Sequence, residues 1–134
     1  MIIRDGCLLT VRMADEDGDF FILPGGGQEP GEALAETVRR ECREEVGAEL
    51  VVRELRYVRE YLGDLPHRVE FIFRCTLVPG STLSTGSLPD VGQVGPVWLP
   101  LAELPGLRFF PSGLRAALAD PAQADEAVYV GVLD

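Results

Sequence analysis

The chain has 134 residues, of which 46% are hydrophobic, and a formal net charge of −10. This length and composition allow one domain with a substantial core, and no apolar run of about 18 residues is present to predict a transmembrane helix. The acidic charge disfavours a polymeric nucleic acid partner, because neutralising phosphates requires a basic surface, and a Walker-type phosphate loop is excluded because it requires lysine and every basic residue here is arginine.

The first half of the chain is predicted to contain strands followed by a glycine-rich loop and a helix. The elements are, in order, a strand run at 2–11, an acidic turn at 15–19, a strand run at 20–23, a loop at 24–31 and a helix from about 32 to 46. Gly47 directly follows the last apolar residue of the helix and is expected to end it.

The second half of the chain is predicted to be mainly strands. Its elements are strand runs at 50–62 and 68–78, a loop rich in Ser, Gly and Pro at about 79–96, a short strand at 97–99, a helix at 112–119 and a final strand at 127–133. The turn at 63–66 predicts an antiparallel hairpin. Strands interrupted by two helices indicate an α+β or mixed α/β fold with helices packed on a sheet, and we expect residues 1–134 to form a single domain.

The cysteines and the N-terminus predict the cellular location. Cys7, Cys42 and Cys75 lie far apart and His67 is the single histidine, so a zinc site of the Cys/His type is not expected. Thiols with apolar neighbours favour a reducing compartment. The first residues also lack the basic flank and long apolar run of a signal peptide. We therefore expect a cytoplasmic protein that makes no membrane contact.

The first predicted helix combines an apolar stripe with an acidic flank. At about 100° per residue, one stripe contains Leu34, Ala35, Val38, Cys42 and Val46. Glu45 falls inside the edge of this stripe, Glu41 falls beside it, and Glu44 lies on the same flank. Arg40 and Arg43 are expected to point further round the polar face.

Three carboxylates at this spacing repel one another. Side chains three and four residues apart have Cβ atoms roughly 5–6 Å apart. Two unit charges separated by about 4 Å cost about 1 kcal/mol in water and about 4 kcal/mol at an effective dielectric of about 20. A hard divalent ion bound by several oxygens relieves this repulsion. Taken alone, however, a helix rich in Arg and Glu is more often a solvated, salt-bridged surface.

The residues around this helix form a longer pattern. From Gly26 the chain reads Gly, five residues, Glu32, seven residues, and then Arg-Glu-Cys-Arg-Glu-Glu-Val-Gly-Ala over 40–48. This resembles the Nudix box, G-x5-E-x7-R-E-U-x-E-E-x-G-U, in which U is an aliphatic residue. Every fixed glycine and charged position matches. The two U positions hold Cys42 and Ala48, which are small and apolar.

Segments outside the box are also similar to the family. Residues 21–26 are similar to its lead-in, and residues 97–104 are similar to its late tryptophan segment. The resemblance runs from about residue 2 to 119. It implies the Nudix α/β/α sandwich, an α+β fold with a mixed β-sheet packed between helices.

The resemblance also implies a metal site. The family binds Mg²⁺, for which Mn²⁺ can substitute. The implied ligands are a backbone carbonyl of Gly25 or Gly26 and three carboxylates, those of Glu41, Glu44 and Glu45. Together with Arg40, these glutamates form the implied catalytic set.

Two further box residues are given structural roles, and Arg40 is given an orienting one. Glu32 lies at the helix start, where a negative charge is favoured by roughly 0.3–1 kcal/mol, and we interpret it as a structural link between loop and helix. Gly47 is the second structural residue. Arg40 is expected to orient a carboxylate such as Glu41 through charge-assisted hydrogen bonds, although its alternative role is an ordinary surface ion pair worth about 0–1 kcal/mol.

The implied reaction is the attack of water on a phosphorus atom of a nucleoside diphosphate derivative, which hydrolyses a phosphoanhydride bond. Mg²⁺ neutralises the anhydride oxygens and the leaving group, and positioning with electrostatics supplies most of the rate. The sequence leaves the general base open. The candidates are Glu41 and three residues of later segments, Asp90, Gln93 and Glu103.

The substrate and the assembly also stay open. The family's marker for ADP-ribose enzymes, a proline about 15 residues past the box, is replaced by Gly63, and no substrate-binding residue is assigned. The alternative function is a non-catalytic Nudix-fold module that binds a nucleotide or regulates a partner. A third reading, an interaction domain with an accidental match, is the least favoured. We expect a monomer or a homodimer.

Overall fold

A computed structural model describes residues 1–63, 66–87, 90–119 and 127–134. The strands are β1 (Ile3–Arg4), β2 (Cys7–Asp15), β3 (Gly18–Ile22), β4 (Leu50–Tyr61), β5 (Arg68–Leu77), β6 (Gln93–Pro100), β7 (Phe109–Phe110) and β8 (Tyr129–Val132). The helices are α1 (Leu34–Val46), α2 (Arg115–Ala119) and two 3-10 helices, Leu101–Gly106 and Ser112–Leu114.

The strands form two mixed sheets. In the first sheet, β2 pairs antiparallel with β1, β3 and β6, and β3 pairs parallel with β7. In the second sheet, β4 pairs antiparallel with β5 and parallel with β8. A parallel bridge between Ile2 and Cys75 joins the two. The α+β class with mixed strand pairing is therefore confirmed, with the strands distributed over two sheets that meet at this bridge.

Both faces of β2 are buried, which places the first sheet between two layers. Leu9, Val11 and Met13 belong to one core cluster that includes Cys42 and Val46 of α1. Leu8, on the opposite face, belongs to a second cluster that includes Phe109, Leu114 and Leu118 from the segments around α2. Alternate side chains of a strand point to opposite faces, so this single strand supports both layers of the sandwich.

Helix α1 begins two residues later than its sequence predicts. The N–H of Glu32 donates to the carbonyl of Glu29 at 3.1 Å in a turn, which leaves residue 32 in the loop. Ala33 precedes the helix, and its N–H donates to the Glu36 carboxylate at 2.9 Å. The predicted end is confirmed: Gly47 has a left-handed φ of 67°, which glycine adopts without strain.

The second half of the chain differs most from its prediction. The predicted loop to residue 96 gives way to β6 from Gln93, because β2 supplies a hydrogen-bonding partner that local composition does not reveal. Strand β7 and the first 3-10 helix were not predicted, and the helix predicted at 112–119 opens with a 3-10 turn. The antiparallel pairing of β4 and β5 is confirmed, while the turn predicted between them includes residues 64 and 65, which lie outside the described residues.

The part of the chain that the structure describes contains no candidate membrane-spanning helix. None of its helices, the 13-residue α1 included, is long and apolar enough to cross a bilayer.

Arg59 holds the C-terminal strand against β4. Its side chain is 8% exposed and lies 2.7 Å from the Glu70 carboxylate. The guanidinium also donates to the carbonyls of Leu133 and Asp134, at 3.0 and 3.2 Å. A buried charge is tolerable when it is paired and fully hydrogen-bonded, so this cluster ties the chain end to the second sheet.

We expect Arg59→Ala to lower the free energy of unfolding by about 3 kcal/mol, because it leaves the partly buried Glu70 with only the exposed Arg68, 3.9 Å away. Urea denaturation followed by circular dichroism measures this. The matched control is Arg74→Ala, whose ion pair with Glu54 spans 3.5 Å with both side chains more than half exposed and is expected to contribute less than about 1 kcal/mol. Equal losses in the two variants would contradict the assignment.

Candidate active site

The glycine loop after β3 lies against the second half of α1. The N–H of Gly25, whose φ is 151°, donates to Glu45 Oε2 at 2.9 Å. A Cβ added at Gly26 would lie 2.6 Å from all three atoms of the Glu41 carboxyl group. The carbonyl of Gly27 accepts a hydrogen bond from Arg40 at 2.8 Å. Gly26 therefore lets the backbone approach Glu41 more closely than a residue with a Cβ would, and Gly25 adopts a positive φ that favours glycine.

Arg40 gathers three carboxylates. Its Nε and Nη2 donate to the two oxygens of Glu32 at 3.0 and 3.1 Å. Its Nη1 donates to Glu41 at 2.8 Å and to Glu44 at 3.1 Å. The expectation that Arg40 points away round the polar face is therefore wrong, because Glu32 lies on the N-terminal side of α1, towards which helix side chains tilt, and its two oxygens fit the guanidinium fork.

Glu32 connects the loop to the helix. Besides Arg40, its carboxylate accepts hydrogen bonds from the Glu29 N–H at 3.2 Å and from the Thr37 hydroxyl at 2.8 Å. These contacts, with Arg40 the strongest, lower the pKa of Glu32 to about 2. The geometry supports the predicted structural role of this residue.

Arg43 occupies a separate position on the helix. Its guanidinium pairs with Glu49 at 2.7 Å, and both side chains are more than half exposed. This arginine does point round the polar face as expected, and Arg40 is the partner of Glu32, Glu41 and Glu44.

Glu45 is the most buried of the acidic residues on α1. It is 3% exposed, and burial raises the pKa of its carboxyl group to about 7 against the lowering effect of the Gly25 N–H. The negative charges of Asp90, Glu41 and Glu44 raise this pKa further. A buried carboxylate surrounded by like charges gains stability from any cation that reaches it.

The three general-base candidates from later segments separate in space. The negative charge of Asp90 acts on Glu45, and the side-chain amide of Gln93 donates to the Glu45 carbonyl at 2.7 Å. An amide has no basic site, so Gln93 does not serve as a base. Glu103 is exposed in the 3-10 helix that follows the other end of β6, a strand that spans roughly 23 Å at the usual rise per residue.

The donor set suits a hard divalent cation. Carboxylate and backbone carbonyl oxygens are the ligands that Mg²⁺ and Mn²⁺ prefer, and Gly26 leaves room beside Glu41. In the described ranges, no three Asp, Glu, His or Cys side chains converge as a ready ion cage. The reason is local: Arg40 draws Glu41 and Glu44, while Glu45 turns to Gly25. The oxygen ligands of these residues fit the ion in their chemistry.

Sequence reasoning missed how the end of α1 is held. The N–H groups of Ser84 and Gly86 donate to the carbonyls of Val46 and Glu45, at 3.0 and 3.1 Å. These two residues lie in the stretch predicted only as a loop rich in Ser, Gly and Pro. Such composition indicates turns but carries no information about which distant backbone a loop contacts.

Comparisons with known proteins agree with this geometry. A family model described as NUDIX domain matches residues 1–120. Over 58 residues the chain is 47% identical to a nucleoside triphosphatase, NudI, of Salmonella arizonae, a match that covers 41% of this chain and 41% of that protein. The matched segment therefore spans less than half the length of this relative.

Solved structures are similar in fold. A NUDIX hydrolase from Nitrosomonas europaea has a TM-score of 0.72 at 18% identity, covering 98% of this chain and 74% of its own. An ADP-ribose pyrophosphatase from Streptococcus suis has a TM-score of 0.67 at 20% identity, and the match covers 99% of this chain and 93% of that one. At these identities the likeness concerns the fold, and it confirms the expected fold class.

We expect Arg40→Gln to raise the pKa of Glu32 from about 2 towards its ordinary value, near 4.3. A carboxyl group whose pKa is lower in the folded state than in the unfolded state stabilises the fold at any pH above its unfolded-state pKa. This contribution is lost as the pH falls from about 4 to 2. The variant should lose that pH-dependent part of its stability. NMR titration of the Glu32 carboxyl carbon measures the shift directly.

Arg43→Gln is the matched control for this prediction. Its partner Glu49 has a pKa lowered by the Arg43 hydrogen bond, so the pKa of Glu49 should rise while that of Glu32 stays unchanged. A Glu32 carboxyl that titrates identically in the wild type and in Arg40→Gln would refute the assigned pairing.

Proposed function

The chain belongs to the NUDIX domain family, and from this premise we propose that it hydrolyses a phosphoanhydride bond in a nucleoside diphosphate derivative with the help of a divalent metal ion. One observation carries the proposal. The carboxylate of Glu45 is buried beside Glu41 and Glu44, where a glycine loop passes within hydrogen-bonding distance. Arg40 offsets the repulsion at Glu41 and Glu44, and a bound divalent cation would offset it at Glu45 as well.

The substrate class rests on shared chemistry. The relative from Salmonella arizonae is named as a nucleoside triphosphatase, and the neighbour from Streptococcus suis as an ADP-ribose pyrophosphatase. Both compounds contain a phosphoanhydride bond attached to a nucleoside. We assign this common feature to the substrate and leave the group on the far side of the diphosphate open, since these two names differ in it.

The metal ligands in this proposal are the carboxylates of Glu41, Glu44 and Glu45 with a carbonyl of Gly25 or Gly26. When bound, Mg²⁺ or Mn²⁺ neutralises the charge of the diphosphate oxygens and of the leaving group. This local positive charge also allows an anionic substrate to approach a chain whose net charge is −10.

Arg40 has two tasks in the proposed mechanism. Its hydrogen bonds to Glu32 and to the Gly27 carbonyl fix the guanidinium on the loop. From there it sets the direction of the Glu41 and Glu44 carboxylates, which it contacts through one nitrogen. A charge-assisted hydrogen bond of this kind restricts a side chain to one rotamer, so Arg40 prepares the ligands before the ion arrives.

Asp90 is the best-supported general base. Its charge acts on Glu45 and its side chain is exposed, so an attacking water can reach it. Glu41, the other candidate at the site, has one oxygen bound by Arg40. Water positioned between the substrate phosphorus and Asp90 would transfer its proton to this carboxylate as the phosphorus–oxygen bond forms.

The boundaries of the active unit are part of the same proposal. We propose one domain over residues 1–134, since β8 at the end of the chain adds to β4 while the family match covers 1–120. Monomer or homodimer and a cytoplasmic location stay predictions of the sequence.

Glu45→Gln and Glu44→Gln are expected to lower kcat by roughly 10²-fold, the loss typical of removing one group that stabilises transition-state charge, while the fold is kept. A panel of nucleoside triphosphates, nucleotide sugars and ADP-ribose, with and without Mg²⁺, is assayed for released phosphate or nucleoside monophosphate. Glu36→Gln is the control, because Glu36 lies on the same helix and its contact is to the Ala33 N–H. Tight nucleotide binding without turnover of any compound would favour the non-catalytic module.

Asp90→Asn is expected to lower kcat by about 10²-fold, as loss of a general base does. Glu103→Gln, at the far end of β6, should leave kcat unchanged. The comparison is made with whichever compound of the panel is hydrolysed. If Asp90→Asn retains full activity, Glu41 becomes the candidate base.

A further inference from the structure

We propose that Gln93 is a positioning residue that holds the last turn of α1 and the Asp90 loop in one arrangement, and thereby keeps the Glu45 backbone where its carboxylate reaches the metal site. This inference rests on the proposed function. It concerns a residue that the sequence presents only as a base candidate and that lies outside the box.

The end of α1 is bound by a segment from far along the chain. The last carbonyls of a helix lack partners within the helix, and here residues 84–87 and 90–93, which we call the strap, supply them. Ser84 donates to Val46 and Gly86 to Glu45. Gly86 approaches so closely that a Cβ at this position would overlap the Glu44 carbonyl oxygen. The strap therefore contacts the helix backbone directly at two of the proposed metal ligands.

Gln93 joins three parts of the fold through one side chain. Its Nε2 donates to the Glu45 carbonyl at 2.7 Å, and its Oε1 accepts from the Asp90 N–H at 3.0 Å. Its backbone begins β6 opposite Met13 of β2, and its N–H donates to the Asp90 carbonyl at 3.0 Å. The amide thus links the helix, the Asp90 loop and the sheet.

The chemistry of these contacts suits the glutamine amide. A donor must face the Glu45 carbonyl while an acceptor faces the Asp90 N–H, and an amide offers both on one plane. Glutamate keeps the acceptor and places a negative oxygen against the carbonyl. Methionine keeps the length and loses both bonds. The two substitutions therefore separate hydrogen bonding from packing.

The position of the Glu45 backbone matters because metal sites depend on the groups that orient their ligands. Loss of an orienting partner typically weakens metal affinity or activity by about 10–100-fold, and a displacement of about 1 Å can cost about 10²-fold in rate. A residue that merely stabilises the helix end would instead lower the unfolding temperature and leave the folded protein's metal affinity and kcat unchanged.

The test compares Gln93→Met and Gln93→Glu with the wild type in three measurements. These are Mn²⁺ affinity from electron paramagnetic resonance of the free ion, hydrogen exchange at the Ser84 and Gly86 amides, and kcat and KM on the hydrolysed compound. We expect Mn²⁺ affinity and kcat to fall at least about 10-fold in both variants. KM should change less than about threefold, and both amides should exchange faster.

Ser81→Ala is the matched control. The Ser81 hydroxyl accepts from the Glu49 N–H at 2.9 Å, so this variant removes a side-chain hydrogen bond from the same loop without touching Glu45. Its Mn²⁺ affinity and kcat should equal those of the wild type.

The outcomes distinguish the two proposals. Gln93 variants that melt earlier but keep wild-type Mn²⁺ affinity and kcat while folded would overturn the positioning role. A wild type that binds Mn²⁺ and hydrolyses nothing would end the proposed function, while Mn²⁺ affinity and amide exchange still decide the role of Gln93. A wild type that binds no Mn²⁺ would overturn both.

Discussion

Electrostatic crowding around the buried Glu45 carboxylate is the constraint on which the rest of the site depends. The side chain is 3% exposed and feels the charges of Asp90, Glu41 and Glu44. A carboxylate in this position needs hydrogen-bond donors, and the proposed function adds a cation. The Gly25 N–H supplies a donor to Glu45 itself. Arg40 neutralises Glu41 and Glu44, the acidic neighbours of Glu45.

The helix that carries this crowding is held at both ends by segments outside it. At its start, Glu32 receives donors from Arg40, Thr37 and the Glu29 backbone. At its end, the strap binds the carbonyls of Glu45 and Val46. In between, the apolar stripe packs on β2. A ligand platform fixed in this way keeps its geometry when charge is added or removed, which is what a metal site requires.

Strongly periodic and strongly patterned features were predictable from the sequence. The apolar stripe of α1, the end at Gly47 and the burial of Glu45 at the stripe's edge follow from residue spacing and from the conformational freedom of glycine. The direction of Arg40 was not predictable from a helical wheel. A wheel places side chains by angle alone, whereas Arg40 is long enough to reach Glu32 eight residues earlier and Gly27 in the loop.

By itself, the sequence determined the family, the α+β class and the acidic set on α1, because these depend on residue types at short, regular spacings. Tertiary structure alone decided that the Gln93 side chain bonds the Glu45 carbonyl and that the charge of Asp90 acts on Glu45. It also decided that β6 starts at Gln93 and that Glu103 follows the other end of that strand. These contacts join residues more than forty positions apart. They form between backbone groups and a glycine-rich loop, and the composition of a loop does not indicate which distant backbone it contacts.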